Sequence, residues 1–233
     1  MKSQVKLIAS DYDGTVRRNG EISRDDVEAI AEWRRAGRYF GIVTGRGTDF
    51  LKTVREREIR EAGLGVDYVV MYNGALVTDV EGNEWFSGGM EKEDFQALET
   101  FFRDLPNVVS YSKTEGDGPF LQFFAQCDSP ERALELAGVI NEKMGERVEA
   151  FVNYWHINVV RRGVSKATGV SVVMEHYGLS EEESVVVGDD WNDLSMLAAH
   201  NGYVMENGVP QVQKQIGRTT PSVGALARMC LKR

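Results

Sequence analysis

Two cysteines, Cys127 and Cys230, are all that the chain holds. They are too few for a disulfide framework, and neither sits in a metal-ligand spacing. That scarcity fits a reducing cytosol. No stretch approaches the roughly 18 apolar residues that a membrane-crossing helix needs. The opening MKSQVKLIAS has too short an apolar run for a signal peptide. A cytoplasmic location and no membrane partner are therefore expected. Basic charge is short too: 27 Lys and Arg stand against 36 Asp and Glu, a net charge of -9. Without a broad basic surface, no nucleic-acid partner is expected, and an anionic substrate must be drawn by local positive charge. There is no internal repeat and no low-complexity segment, and nothing in the sequence sets an oligomeric state. What is left, 42% hydrophobic and 27% charged over 233 residues, is ordinary for a globular protein. The length allows one large domain, or a core plus a smaller module.

The stretch around which the chain is organised is Val5 to Thr15, VKLIASDYDGT. An apolar run, Val5, Leu7, Ile8 and Ala9, reads as a buried strand that ends in Asp11-Tyr12-Asp13-Gly14-Thr15. Alternation along an extended backbone aims Asp11 and Asp13 to the same side. Turn formation alone explains an isolated D-x-D-G-T in many proteins, so the rest of the chain has to decide. Ser23 and Asp26 open a helix that Gly37 stops. Tyr39 to Val43 is a second strand, ending in Thr44-Gly45-Arg46-Gly47, and Asp49 to Glu61 reads as a charged helix. Val66 to Tyr72 is a third strand, running into Asn73-Gly74-Ala75. This βα alternation predicts a parallel sheet with crossover helices.

The rhythm then changes. After a hairpin, Leu76 to Thr78 with Glu84 to Phe86, the order becomes helix-strand-strand-helix-strand-strand between about Gly88 and Arg162. The βα pattern resumes with a helix from Ser165, a strand Ser184 to Val187 and helices at 194–199, 210–215 and 222–231. The expected fold is α/β: a Rossmann-like, doubly wound parallel sheet built from residues 1–80 and 164–233, with an α+β module inserted at 81–163.

A second acidic cluster, Gly188-Asp189-Asp190-Trp191-Asn192-Asp193, follows the apolar strand Val185-Val186-Val187. A parallel sheet brings both clusters to one edge, so Asp11, Asp13, Asp189 and Asp193 would crowd one crevice. Two unit charges 4 Å apart repel by roughly 4 kcal/mol near a protein surface. Either their pKa values rise or a cation sits among them, and all-oxygen ligands of this kind suit Mg²⁺. Lys166, at a helix start, and Thr44, at a strand end, are each more often structural when met alone.

Taken together, Asp11-x-Asp13-Gly14-Thr15, Thr44-Gly45-Arg46, Lys166 and Gly188-Asp189-x-x-Asn192-Asp193 resemble the four motifs of the haloacid dehalogenase superfamily of phosphohydrolases. They stand in order across the whole chain. The place of the insert resembles the C2-capped members, and its element order and Asn73-Gly74-Ala75 resemble the Cof-type (IIB) branch. Trp155-His156 and Arg162-Gly163, ahead of Lys166, are similar to the small archaeal-type phosphoglycolate phosphatases.

The resemblance implies a phosphatase with Asp11 as nucleophile and Asp13 as general acid and base. Thr44, with Gly45 beside it, Lys166 and Asn192 would hold the phosphoryl oxygens. Mg²⁺ would be held by Asp11, the Asp13 carbonyl and Asp189, with Asp193 or Asn192 in support. Arg46 either touches substrate or pairs with a carboxylate. The expected partner is a small phosphorylated metabolite, such as phosphoglycolate or a sugar phosphate. Two rivals remain: a phosphosugar mutase of the same superfamily and, more remotely, a phospho-receiver domain, which would carry its phosphorylated Asp on a later strand. Of the aromatic residues in the insert, Tyr111, Phe123, Phe151 and Trp155 are expected mainly as packing. His156 and the polar loop at 113–118 are expected as candidates for reaching substrate.

Overall fold

The computed structural model describes residues 4–114, 116 and 118–232; Glu115 and Asp117 of the polar loop lie outside them. The chain divides into two compact units, one of residues up to 86 with those from 165 on, the other of residues 87–164. In chain order the first unit forms β1 (Leu7–Asp11), the short pair β2 (Arg17–Arg18) and β3 (Glu21–Ile22), α1 (Arg24–Arg35), β4 (Tyr39–Val43) and α2 (Asp49–Thr53). It continues with β5 (Tyr68–Met71), β6 (Leu76–Asp79) and β7 (Glu84–Ser87). The second unit contains α3 (Lys92–Phe102), β8 (Val108–Tyr111), β9 (Phe123–Cys127), α4 (Pro130–Met144), β10 (Val148–Asn153) and β11 (His156–Arg161). The first unit then resumes with α5 (Lys166–His176), β12 (Ser184–Gly188), α6 (Leu194–Ala199) and β13 (Gly202–Met205). It ends with α7 (Pro210–Ile216), β14 (Thr219–Thr220) and α8 (Val223–Leu231).

The first unit is built on an eight-stranded sheet, order β14-β13-β12-β1-β4-β5-β6-β7. From β14 to β5 the strands run parallel, and β6 turns back antiparallel to β5. β1 and β12 are buried along their whole length, as strands covered on both faces must be, which is why each reads as an almost unbroken apolar run. One face packs Leu7, Ala9, Val70 and Val186 against Val170 and Val173 of α5 and Met196 and Leu197 of α6. The other face is covered by α1, which buries Ala29, Ile30 and Trp33, and by α8. The unit runs to residue 86 because β7 joins the edge of this sheet instead of leaving with the insert.

In the second unit, an antiparallel sheet of order β10-β11-β9-β8 carries α3 and α4 on one face. Phe95, Leu98, Phe102, Phe123, Leu136, Ile140 and Ile157 form its core. Phe123 is thus packing, as expected, while Phe151 and His156 stay half-buried and Trp155 is exposed. Strand alternation accounts for this: Phe123, Ala125 and Cys127 are buried, and Phe124 and Gln126 between them are not.

Two features depart from the sequence expectation. The two-residue strands β2, β3 and β14 are too short for any periodic signal. The helix expected over 49–61 is α2 followed by a π-helix, Val54–Glu61, which buries Glu58 among otherwise exposed charges. Among the described residues, no helix is long and apolar enough to cross a membrane.

Candidate active site

Leu7 and Ala9 point to the α5 side of the sheet, so Asp11, of the same parity, leaves β1 on that side. Register does the rest. Asp11 pairs with Val43 and Ser10 with Val187, so Thr44 and the Gly188-Asp189 turn start beside Asp11 at the carboxyl edge of the sheet.

Lys166 comes to the same point from α5. Ser165 caps that helix in a capping box with Thr168. The turn at Asn73-Gly74 fixes the helix start, because a Cβ on Gly74 would fall on the Ser165 carbonyl. Lys166 is 1% exposed. Its Nζ donates to Asp11 Oδ1 at 2.7 Å and to Asp193 Oδ1 at 2.6 Å. The other oxygen of Asp193 accepts the amides of Asp189 (2.9 Å) and Asp190 (3.1 Å), tying the turn after β12 to the lysine. Asp189 Oδ1 accepts the Thr15 hydroxyl at 2.8 Å. A Cβ on Gly14 would overlap that carboxylate, which explains the glycine after Asp13. Asn207 donates to the Gly14 carbonyl at 2.9 Å, and the Val209 amide donates to the Asp189 carbonyl at 2.8 Å.

Oxygens of Asp11, Asp189 and Asp193 lie within 4.8 Å of one another. Three carboxylates against one ammonium leave two negative charges uncompensated. Burial therefore pushes Asp11 well above the usual carboxyl range, with the charge on Asp193 adding to it and Lys166 opposing. Burial likewise lifts Asp189 to about 6, against the hydrogen bond from Thr15. On Lys166 burial acts downward, but Asp11 and Asp193 outweigh it and hold the ammonium above its ordinary value. A divalent cation with oxygen ligands matches both the donor set and the missing charge.

The remaining expected residues take different positions. Thr44 is buried, and its hydroxyl accepts the Arg46 amide at 3.2 Å, keeping its own proton to donate. Gly45 lies against Asn73, whose side chain stands 3.0 Å from where a Cβ would be. Asn192 is half-buried on the turn Trp191–Asp193. The Asp13 side chain stands outside the clustered carboxylates. It is gripped by Arg46, Nε to Oδ2 and Nη2 to Oδ1, both at 2.8 Å. Of the two roles left open for Arg46, the structure shows the carboxylate pair.

Sequence reasoning missed the residues that hold this loop from beneath. Tyr12 is fully buried, donates its hydroxyl to Glu58 and accepts from Arg17 at 3.0 Å. Burial and the bond to Glu58 push its phenol up to about 12. Only the Tyr inserted between two aspartates hinted at this, since its buried partner sits in an apparently solvated charge run.

A family model of haloacid dehalogenase-like hydrolases matches residues 8–116 and 106–224. A 5-amino-6-(5-phospho-D-ribitylamino)uracil phosphatase of Bacillus subtilis is 38% identical, over 94% of this chain and 93% of that one. A phosphoglycolate phosphatase of Pyrobaculum aerophilum is 28% identical, over 90% of this chain and 86% of its own. The solved structure of a subclass IIB sugar phosphatase shares the fold, with a TM-score of 0.81 at 18% identity and 98% of both chains covered. The chain belongs to the haloacid dehalogenase-like hydrolases, as a phosphatase of that family.

Proposed function

We propose that this phosphatase hydrolyses small phosphate monoesters through a phosphorylated Asp11, with Mg²⁺ as cofactor. The observation that carries the reading is the buried Lys166, bridging Asp11 and Asp193 beside Asp189. With Oδ1 held by the ammonium, Asp11 presents its other oxygen to phosphorus. As that bond forms, the bond from phosphorus to the leaving oxygen breaks, and Asp13 gives its proton to the leaving oxygen. Asp13 then takes a proton from a water whose oxygen attacks phosphorus, releasing phosphate and restoring Asp11. Lys166, the Thr44 hydroxyl, the Gly45 backbone and Asn192 hold the phosphoryl oxygens throughout. Asp11, Asp189 and the Asp13 carbonyl, supported by Asp193, would hold Mg²⁺, which when bound supplies positive charge to the phosphoryl group.

The two relatives named for their substrates act on small phosphorylated metabolites, which supports the same class here. Cys127 and Cys230 are buried and form no disulfide, which supports a reducing, cytoplasmic setting. Purified protein assayed against a panel of phosphate monoesters should release phosphate with Mg²⁺ and stop in EDTA. No release from any ester, or release unaffected by the chelator, would overturn the reading. Transfer to an added sugar without net phosphate would replace it with a mutase.

A further inference from the structure

We infer that Arg46 is the positioning residue of Asp13: it fixes the carboxyl group that exchanges protons with leaving group and water, and it does not grip the phosphoryl group. This rests on the roles given above to Asp11 and Asp13. Asp13 stands on an exposed turn with 56% of its side chain accessible, so by itself its carboxyl group would sample several rotamers. The Arg46 fork engages both of its oxygens and sets the plane of the carboxyl group.

Arg46 can do this because it is held in turn. Its guanidinium lies 5.5 Å from the ring centre of Tyr12 and 5.4 Å from that of Phe50. Those rings meet edge to face at 4.6 Å, and Tyr12 is pinned by Glu58 and Arg17. The Arg46 backbone is fixed as well, its amide on the Thr44 hydroxyl and its carbonyl on the Tyr72 amide at 3.0 Å. The buried floor of the loop is thus transmitted, through two rings and a guanidinium, to an exposed carboxyl group. The Nε–Nη2 edge, one of the two by which a guanidinium grips a pair of phosphoryl oxygens, is committed to Asp13.

The test is Arg46→Lys, which keeps the charge but loses the fork, assayed on a sugar phosphate and on p-nitrophenyl phosphate. The sugar alkoxide needs a proton to leave, and p-nitrophenolate does not. Misplacing Asp13 should lower kcat/KM for the sugar phosphate by about 10- to 100-fold, and for p-nitrophenyl phosphate by no more than about threefold. On the second ester kcat should still fall, because the water step also needs Asp13. KM then falls with it, and a burst of p-nitrophenolate reports accumulated phosphoenzyme. Equal losses in kcat/KM on both esters with raised KM would make Arg46 a phosphoryl ligand and overturn the inference, leaving the catalytic reading intact. A wild-type enzyme that releases no p-nitrophenolate refutes that reading, and the inference with it. Should Arg46→Lys fail to fold, Phe50→Leu, which loosens the aromatic bed, must show the same split in milder form.

Discussion

Gly74 lies so close to the carbonyl of Ser165 that no side-chain carbon fits between them. Its φ of +104° is one that only glycine adopts without strain. Through this contact the turn after β5 sets the first residue of α5, and so the root of Lys166. A backbone-to-backbone approach thereby decides where the ammonium stands.

Gly74→Ala is accordingly expected to destabilise the fold by about 2–4 kcal/mol, combining backbone strain with a backbone clash. It should also lower kcat by shifting Lys166. Gly138→Ala, in the interior of α4 with nothing within 4 Å of the new carbon, is the control. It should be neutral or stabilising by about 0.5–1 kcal/mol. Chemical denaturation of both variants checks the pair; equal midpoints would remove the importance given to the Gly74 contact.

Much of this was legible because strand ends announce themselves. The apolar runs of β1, β4 and β12 stop abruptly at Asp11, Thr44 and Asp189, and a parallel sheet can only gather such ends at one edge. The asymmetry within the site was not legible. Asp11 and Asp13 share parity on paper, yet one is buried on Lys166 and the other faces outward to Arg46, because β1 ends at Asp11 and the strand alternation does not reach Asp13. Glu58 was hidden for a different reason. Its neighbours Arg57 and Arg60 mark a solvated helix, whereas the wider π winding, the hydroxyl of Tyr12 and the guanidinium of Arg17 together account for a carboxylate inside. Pairings between distant loops leave no trace in local periodicity.

Lys166→Met removes the ammonium that bridges Asp11 and Asp193 and leaves buried carboxylates facing each other. Breaking a buried pair in this way costs about 3–5 kcal/mol. Adding Asp193→Asn to the variant should recover part of that loss, since one of the stranded charges is gone. Phosphatase activity should be lost in both variants. If the double variant is destabilised by the full sum of the single changes, the two residues are not coupled as described.

Tyr12→Phe keeps the ring under Arg46 but removes the hydroxyl that donates to buried Glu58, leaving that carboxylate the looser ion pairs with Arg17 at 3.7 Å and Arg57 at 3.9 Å. An unsatisfied buried acceptor costs about 1–3 kcal/mol, more when charged. Replacing Glu58 by Gln in the same chain should soften the effect, because a neutral amide is cheaper to leave unbonded. Thermal denaturation of the two single variants and the double variant gives the coupling. A Tyr12→Phe protein as stable as wild type would show that the bond contributes nothing.

Metal binding as proposed above would be tied to pH through Asp189. Without a cation its carboxyl group is lifted from 3.8 to about 6, so the folded state binds this proton more tightly than the unfolded chain does. For a folded pKa raised in this way, the contribution to stability is full below about pH 4 and is lost as pH rises through about 6. Mg²⁺ bound as proposed would compete for the same oxygen ligands and restore above pH 6 what deprotonation removes. At a hundredfold excess over its Kd, a cation that binds only the folded state adds about 2.7 kcal/mol. For a chain of this length that is about 5–10 °C in Tm. The Tm gain from Mg²⁺ should therefore be largest near pH 8, shrink through pH 6 and nearly vanish at pH 5. Asp189→Asn should remove most of the gain at every pH, because the ligand that titrates is gone. Melting curves with and without Mg²⁺ at three pH values decide the matter: a gain that is the same at pH 5 and pH 8 would mean that Asp189 is not where proton and metal compete.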